Sequence, residues 1–213
     1  MLLTRRAVIE RIRRLVYGEQ PQDDASITDN LVNNYLNDAI GLVAKNNYVE
    51  SIKLDGIAYV NNAFYTSFKG ISIVQDSPNV YTFQLPEYPV GVGDNEGVAS
   101  VILKDANGNL SFDLVPLTIS QVSYTRSIRP IQNKICYWYE NSQVFISTSV
   151  PLFNYTANVR MISGGDSSNL DSKLNIPPDY LQTIIEYAAK YLTIERNTPQ
   201  DLTNDGRSNS PKQ

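Results

Sequence analysis

Helical periodicity occupies both ends of this 213-residue chain, and strand-like alternation occupies its middle. In the first helical stretch, Val8, Ile9 and Ile12 recur at the spacing that places apolar residues on one face. Thr4 precedes this stretch as an N-cap, and Gly18 follows it at the position that favours glycine. Because a lone amphipathic helix is unstable in water, we expect the two helical ends of the chain to pack together.

A second helix is predicted after an acidic loop at residues 19–24. It begins near Ser26 or Thr28, and Ser26 and Asp29 have the spacing of a capping box. The apolar pattern fades at residues 45–47, so the two helices form an αα-hairpin that ends by residue 50. The apolar residues of this helix are Leu31, Val32, Tyr35, Leu36, Ala39, Leu42 and Val43.

The middle of the chain alternates β-branched and aromatic residues with polar ones, which predicts strands. The predicted strands are 57–60, 63–68, 71–74, 80–85, 98–104, 110–115, 134–140, 144–148 and 156–162. Asn107-Gly108 separates two of them and is a strong hairpin signal. Residues 117–124 are predicted as a short helix on this region. Short strands with frequent turns favour an antiparallel sandwich or barrel.

The third region returns to helix after residues 164–168, which are predicted to form a flexible linker. Pro177 and Pro178 stand where proline favours a helix start, and Pro199 ends the helix. Its apolar stripe is Leu181, Ile184, Ile185, Ala188 and Leu192. The predicted fold class is therefore α+β: a three-helix bundle, built from the N-terminal αα-hairpin and the C-terminal helix, with an inserted antiparallel β-sandwich or barrel. The predicted domains are the bundle (1–50 and 166–198), the β domain (51–165) and an extended C-terminal arm (199–213).

Composition argues against several classes of function. The chain has no histidine and one cysteine, which removes Ser-His-Asp and Cys-His catalytic sites, internal disulfides and multi-cysteine metal sites. Its net charge of −4 does not favour a dedicated nucleic-acid-binding domain. Tyrosine is abundant, 14 against 6 phenylalanines, and suits surfaces that are wet before assembly. We therefore expect a non-enzymatic protein without cofactors, synthesised in the cytoplasm, with no membrane contact.

Residues at the two ends of the chain resemble a known family. The segments are 4–9 (TRRAVI), the acidic loop at 23–27, 176–181 (IPPDYL) and 198–206 (TPQDLTNDG). Together they resemble the ring-forming neck proteins, or head-to-tail connectors, of crAss-like tailed bacteriophages. The resemblance covers roughly residues 4–50 and 174–206.

This resemblance implies a structural virion protein of the phage neck, located between head and tail. It implies a dodecameric ring of identical chains stacked beneath the portal or another neck ring, with no catalytic residues. Neighbouring tail hub or fibre proteins are further implied partners. The ring lines the conduit through which DNA passes without sequence-specific binding.

The first helix carries a cluster of positive charge opposed only by Glu10. One interpretation of this charge is an interface, either with an acidic neighbour or with passing DNA. The alternative is a solvated helix face with salt bridges to Asp23, Asp24 or Asp38. The candidate interface residues here are Arg5, Arg6, Arg11, Arg13 and Arg14.

Two further segments are candidate contacts. The polar tail predicts an arm that orders across a neighbouring subunit, or else a frayed end without a role; its candidate residues are Pro199, Gln200, Asp201, Asn204 and Asp205. A glycine-dense loop, which does not match a phosphate-binding motif, predicts a projecting contact loop; its candidate residues are Gly91, Gly93, Asp94 and Asn95.

Other features have alternative interpretations. Residues 105–109 loosely resemble a calcium loop, but a hairpin turn explains them. Cys136 is predicted to be a buried thiol, and the neighbouring Trp138 to pack on the same face. That aromatic strand is either core, interface or a stacking platform for sugars. The alternative function is accordingly a glycan- or receptor-binding virion module built on the β domain, and a carboxylate-dependent glycoside hydrolase comes third.

Overall fold

The computed structural model describes residues 3–18, 27–92, 97–105, 107, 111–122 and 134–197. Over these residues the chain is a mixed α+β protein with four helices and two β-sheets, which confirms the predicted class. The helices are α1 (Arg5–Tyr17), α2 (Asp29–Asp55), α3 (Ile119–Val122) and α4 (Leu181–Asn197). Short 3-10 turns lie at Asn62–Phe64 and Pro178–Tyr180. In the described residues, no helix combines the length and apolar character that crossing a membrane requires.

Local caps mark the ends of α1 and α2. Thr4 Oγ1 accepts the Ala7 N–H at 3.4 Å, and Gly18 closes α1 in the left-handed conformation, which confirms both predicted caps. Thr28 Oγ1 accepts the Leu31 N–H at 3.2 Å, so Thr28 is the N-cap of α2. Ser26 of the predicted capping box lies outside the described residues, and its partner Asp29 is the first residue of α2 rather than the third.

The predicted end of α2 is wrong. The helix does not stop at residues 45–50 but continues to Asp55, where Gly56 caps it at φ 68°. Asparagine is a poor helix former, but Asn47 is held by tertiary contacts: its amide donates to the Tyr180 hydroxyl at 3.0 Å and its oxygen accepts the Asn61 N–H at 2.9 Å. Packing therefore overrides a weak local preference.

Helices α1, α2 and α4 pack around one apolar core. Tyr35 of α2 stacks on Tyr191 of α4 with centroids 6.3 Å apart, while Asn47 meets Tyr180 just before α4, so α2 and α4 are antiparallel. Most of the core comes from the helices, but Val60, Phe64 and Ile162 join it from the predicted β domain. The buried helical residues of this core are Val8, Ile9, Ile12, Val32, Leu36, Ala39, Ile40, Val43, Ala44, Ile184, Ile185, Ala188 and Leu192.

In the described part of the chain, nine strands form the two sheets. They are β1 (Tyr65–Ser72), β2 (Val74–Ser77), β3 (Val80–Gln84), β4 (Val98–Asp105), β5 (Ser111–Asp113), β6 (Val115–Pro116), β7 (Cys136–Glu140), β8 (Gln143–Ser147) and β9 (Tyr155–Ile162). One sheet has the order β1-β9-β4-β5 and the other β2-β3-β8-β7-β6. Both sheets contribute to a second apolar core that is separate from the helical one, with Leu103 and Met161 from the first sheet and Phe83 and Ile146 from the second.

Several details of the predicted β region are wrong. The single strand predicted at 110–115 is split into β5 and β6, which belong to different sheets. Residues 57–60 form no strand, because they return along the end of α2 and bond to it. The second sheet is not purely antiparallel, since β6 pairs with β7 in parallel. A parallel pair requires a long crossover, and the segment between β6 and β7, which includes α3, supplies it.

The chain that returns from β9 to α4 is fixed against α1. The backbone N–H groups of Arg5 and Arg6 donate to Ser172 and Leu170, at 3.1 and 2.8 Å. Gly164 and Gly165 are buried there, so the prediction of a flexible linker at residues 164–168 is wrong for these two residues. Close contact with Ile40 of α2 and with Arg5 accounts for Gly164, whereas a φ of 92° and the nearby Lys173 carbonyl account for Gly165.

Candidate assembly surface

The C-terminal end of α2 extends beyond the helices that cover the rest of it. Tyr180, which bonds to Asn47, directly precedes α4, so about two turns of α2 lie past the start of α4. We call this end, with the residues that follow it, the α2 tip. Its apolar side chains are between 43% and 82% exposed. They are Val49, Ile52, Leu54, Ile57 and Tyr59.

Leu54 continues the buried stripe of α2 into solvent. It lies about three turns after Val43 and so occupies the same face of the helix. Val43 is 2% exposed and Leu54 is 82% exposed. Val49 and Ile52 lie on the opposite face, so apolar side chains are exposed on two faces of the tip, with the charged residues Glu50, Lys53 and Asp55 between them.

Hydrogen bonds hold the α2 tip in one conformation. Ser51 Oγ accepts the Tyr59 N–H at 3.1 Å and lies 2.8 Å from the carbonyl oxygens of Tyr48 and Tyr59. The Tyr59 hydroxyl donates to Asp55 at 2.7 Å, and this bond raises the pKa of the Tyr59 phenol. The exposed apolar groups therefore lie on a rigid scaffold, which lowers the entropy cost of binding.

A recess lined by tyrosines and small or aliphatic residues lies beside the tip. Its volume is about 280 Å³, and Tyr48, Tyr59, Tyr65 and Val98 contribute to its walls. The guanidinium of Arg160 lies 4.8 Å from the ring centroid of Tyr65 and fixes that wall. The surface thus combines exposed apolar side chains with a neighbouring recess, which suits contact with another protein.

Arg5, one of the predicted interface residues, is buried. Its side chain is 0% exposed, and Nη1 donates to Asn33 Oδ1 at 2.6 Å and to Asn37 Oδ1 at 2.7 Å. Nη2 donates more weakly to the Gly165 carbonyl at 3.4 Å. Burial lowers the pKa of the guanidinium. The prediction that Arg5 contacts a partner is therefore wrong: it joins α1, α2 and the returning chain.

Two of the other four arginines of α1 form ion pairs within the described residues. Arg6 makes a two-pronged ion pair with Asp171, at 2.6 and 3.0 Å, which lowers the pKa of that carboxyl. Arg13 pairs with Asp29 at 2.8 Å. The arginines thus pair with Asp171 and Asp29; of the predicted acidic partners Asp23, Asp24 and Asp38, the first two lie outside the described residues.

Arg11 and Arg14 remain available for contacts. Both are exposed, and neither forms an ion pair within the described part of the chain.

Of the predicted contact loop, Gly91 is described and exposed, whereas Gly93, Asp94 and Asn95 lie outside the described residues. The predicted arm residues Pro199, Gln200, Asp201, Asn204 and Asp205 also lie outside them. These contacts stay predictions.

The aromatic strand β7 is explained by packing. Cys136 is buried, as predicted, and burial raises the pKa of its thiol. Trp138 pairs across the sheet with Phe145, and their rings stack at 5.4 Å with an angle of 11°. Each ring therefore covers one face of the other, and neither face in that contact is available to a sugar.

The described residues contain no group of three or more acidic or cysteine side chains placed to hold a metal ion. No protein-family model matches the chain, and a search of curated proteins finds no match to it. The α2 tip, with five exposed apolar side chains, is the candidate interaction surface of the described residues.

Proposed function

We propose that this chain is a non-enzymatic structural subunit that assembles with copies of itself into a ring in the neck of a tailed phage. The α2 tip is the single observation that carries the proposal. Large exposed apolar patches on a soluble chain mark surfaces that another protein covers. The tip is rigid as well as apolar, so it suits a permanent contact.

In this proposal the helices α1, α2 and α4 form a three-helix bundle that builds the ring. The two sheets form a β-sandwich inserted between α2 and α4, which reaches toward neighbouring rings. The existence of two separate apolar cores supports this division, because each part has its own source of stability.

A ring needs a surface of one subunit that meets a different surface of the next. The α2 tip lies at one end of the helices. Leu15 and Ile194, both more than half exposed, lie at the opposite end, where Arg13 of α1 meets Asp29 of α2. The separation of these apolar groups supports contact between unlike surfaces, which closes into a ring, over a two-fold dimer.

The resemblance to crAss-like neck proteins supplies the rest of the proposal. It supports twelve copies, a portal or second neck ring as neighbour, and tail hub or fibre proteins as further partners. The net negative charge of the chain supports a conduit past which DNA slides without sequence-specific contacts. The proposed location is accordingly the virion.

Negative-stain microscopy and mass photometry of the purified chain test this proposal. We expect closed rings from the wild type, alone or after mixing with isolated portals. We expect monomers from a double variant, Leu54→Asp with Ile57→Asp, because charge on the tip opposes its burial. The matched control is Phe153→Asp, at an equally exposed apolar residue between β8 and β9.

Two outcomes contradict the proposal in different ways. Rings formed by the tip variant as readily as by the wild type would assign assembly to another surface. A wild type that stays monomeric at high concentration, both alone and with portals, would contradict the proposal that this chain forms a ring.

A further inference from the structure

The exposed side of α1 carries charged groups that form no ion pair among the described residues. Arg11 and Arg14 lie one turn apart on this side, and Leu15, which is 56% exposed, lies beside them. Glu10 is also exposed and lies one turn before Arg14. We call this set the α1 surface; its members are Glu10, Arg11, Arg14 and Leu15.

The α1 surface differs from the other exposed arginine side chains of this helix, whose charges are paired within the chain. Arg6 pairs with Asp171, and Arg13 pairs with Asp29. A guanidinium group is weakly hydrated and binds a carboxylate through two parallel hydrogen bonds. The α1 surface, with two such groups beside an exposed leucine, therefore fits an acidic protein surface that also offers apolar side chains.

The α2 tip has the complementary arrangement. Its exposed apolar side chains are accompanied by Glu50, Lys53 and Asp55, all of them exposed. Two of these charged groups are negative and one is positive, whereas the α1 surface has two positive groups and one negative group. Contact between the two surfaces thus gives each charge an opposite charge, around apolar side chains on both sides.

Distance prevents the α2 tip from reaching the α1 surface of its own chain. The end of α1 meets the start of α2, where Arg13 contacts Asp29, and Leu54 lies about 37 Å further along the same helix. A second copy of the chain removes this separation. Contact between two identical tips would instead bring two net negative surfaces together, which like charge opposes. The charges therefore favour contact between unlike surfaces, the kind that closes into a ring.

We propose that the α2 tip of one copy docks on the α1 surface of the next copy. Leu54 of the tip packs against Leu15. The two tip carboxylates face the two guanidinium groups, and Lys53 faces Glu10. This inference rests on the proposed function, because it takes the tip to be an assembly surface and names the surface that receives it.

Charge reversal tests this contact, under the conditions in which the wild type forms rings. The α1 variant is Arg11→Glu with Arg14→Glu. The tip variant is Glu50→Lys with Asp55→Asn, since asparagine keeps an acceptor for the Tyr59 hydroxyl. In each variant alone, the two surfaces have net charge of the same sign. We therefore expect the protein concentration required for assembly to rise at least about tenfold.

An equal mixture of the two variants gives the sharpest readout. The tip of each variant then meets an α1 surface of opposite charge on the other, so the mixture should form rings in which the variants alternate. Mass photometry measures assembly, and circular dichroism checks that each variant keeps its fold. The control is Lys69→Glu with Lys104→Glu, at exposed lysines of the sheets. It has the same net charge as the α1 variant and should assemble as the wild type does.

Carbodiimide cross-linking of wild-type rings provides a measurement that needs no variant. This reagent joins an amine to a carboxylate in direct contact, and Lys53 and Glu10 of one chain are too far apart to react. We expect a link between Lys53 and Glu10 in rings and none in monomers. Links from Lys53 only to other carboxylates of the neighbouring copy would place the tip on a different surface and overturn the inference.

Two further outcomes would overturn the inference and leave the proposed function intact. An α1 variant that forms rings alone, at the wild-type concentration, would assign Arg11 and Arg14 to contacts with DNA or another protein. A mixture that fails to assemble, although both variants are folded, would reject the pairing of the two surfaces. A wild type that forms no rings contradicts the proposed function itself, and the inference falls with it.

Discussion

Gly164 lies against the buried guanidinium of Arg5. A Cβ atom at Gly164 would lie 2.8 Å from Arg5 Nη2 and 2.6 Å from the Cδ1 atom of Ile40. The glycine is therefore required by the approach of the returning chain to α1 and α2, at the junction between the helical core and the sheets.

Gly164→Ala should destabilise the protein through overpacking. The neighbours are a fully buried isoleucine and a hydrogen-bonded arginine, so the expected cost is about 1–3 kcal/mol. Chemical denaturation followed by circular dichroism measures it. Gly91→Ala is the matched control, since nothing lies within 4 Å of a Cβ there. Equal stability of the two variants would contradict the close contact at Gly164.

Arg5→Ala should be more damaging than removal of an exposed arginine. It deletes two short charge-assisted bonds and leaves the Asn33 and Asn37 oxygens without their donor, at an expected cost of about 3 kcal/mol. Arg11→Ala, on the exposed side of the same helix, should change the free energy of unfolding by less than about 0.5 kcal/mol. Similar values for both variants would show that burial of Arg5 contributes nothing.

Tyr137→Phe should be neutral or stabilising. The Tyr137 hydroxyl is buried in the sheet core and has no hydrogen-bond partner within the described residues. Removal of a polar group that lacks a partner is expected to stabilise the folded state by about 1 kcal/mol. Tyr88→Phe, at an exposed tyrosine, controls for the loss of a hydroxyl as such. A marked loss of stability in Tyr137→Phe would reveal a partner for this group.

Tyr137 also predicts a pH dependence. Burial raises the pKa of its phenol to about 12, whereas an unfolded tyrosine ionises near 10. Because the folded pKa is the higher one, ionisation of Tyr137 leaves the free energy of unfolding unchanged below about pH 10. Between about pH 10 and 12 it lowers the free energy of unfolding by about 2–3 kcal/mol. Comparing the wild type with Tyr137→Phe isolates this contribution. Parallel stability curves for the two proteins would rule it out.

Ser51→Ala should loosen the α2 tip. The variant loses the acceptor of the Tyr59 N–H, at an expected cost of about 1–2 kcal/mol. If the tip is an assembly surface, ring formation should also require a higher protein concentration, which mass photometry measures. Ser67→Ala, at an exposed serine of β1, is the control. Unchanged assembly with reduced stability would separate the tip from the interface.

Features with local causes could be predicted from sequence. Thr4, Gly18 and Thr28 act through bonds within one turn of their own helix, and the alternation of β3, β4, β8 and β9 reflects which face of each strand is buried. The burial of Cys136 also follows from its local sequence, since it lies in a strand of apolar and aromatic residues. None of these depends on which other segment provides the contact.

Other features were decided only by tertiary structure. Sequence alone cannot show that Arg5 points between two asparagines while Arg11 points to solvent, or that Gly164 and Gly165 are buried rather than mobile. Asn47 fails to end α2 because Tyr180 and Asn61, both distant in sequence, satisfy its amide. Leu54 and Val43 have the same place in the helical repeat, and only the lengths of the partner helices decide that one is buried and the other exposed. The local pattern thus determined most of the segments that form helices and strands. The relative lengths of the helices exposed the α2 tip, and the packing of α1 against α2 and the returning chain buried Arg5.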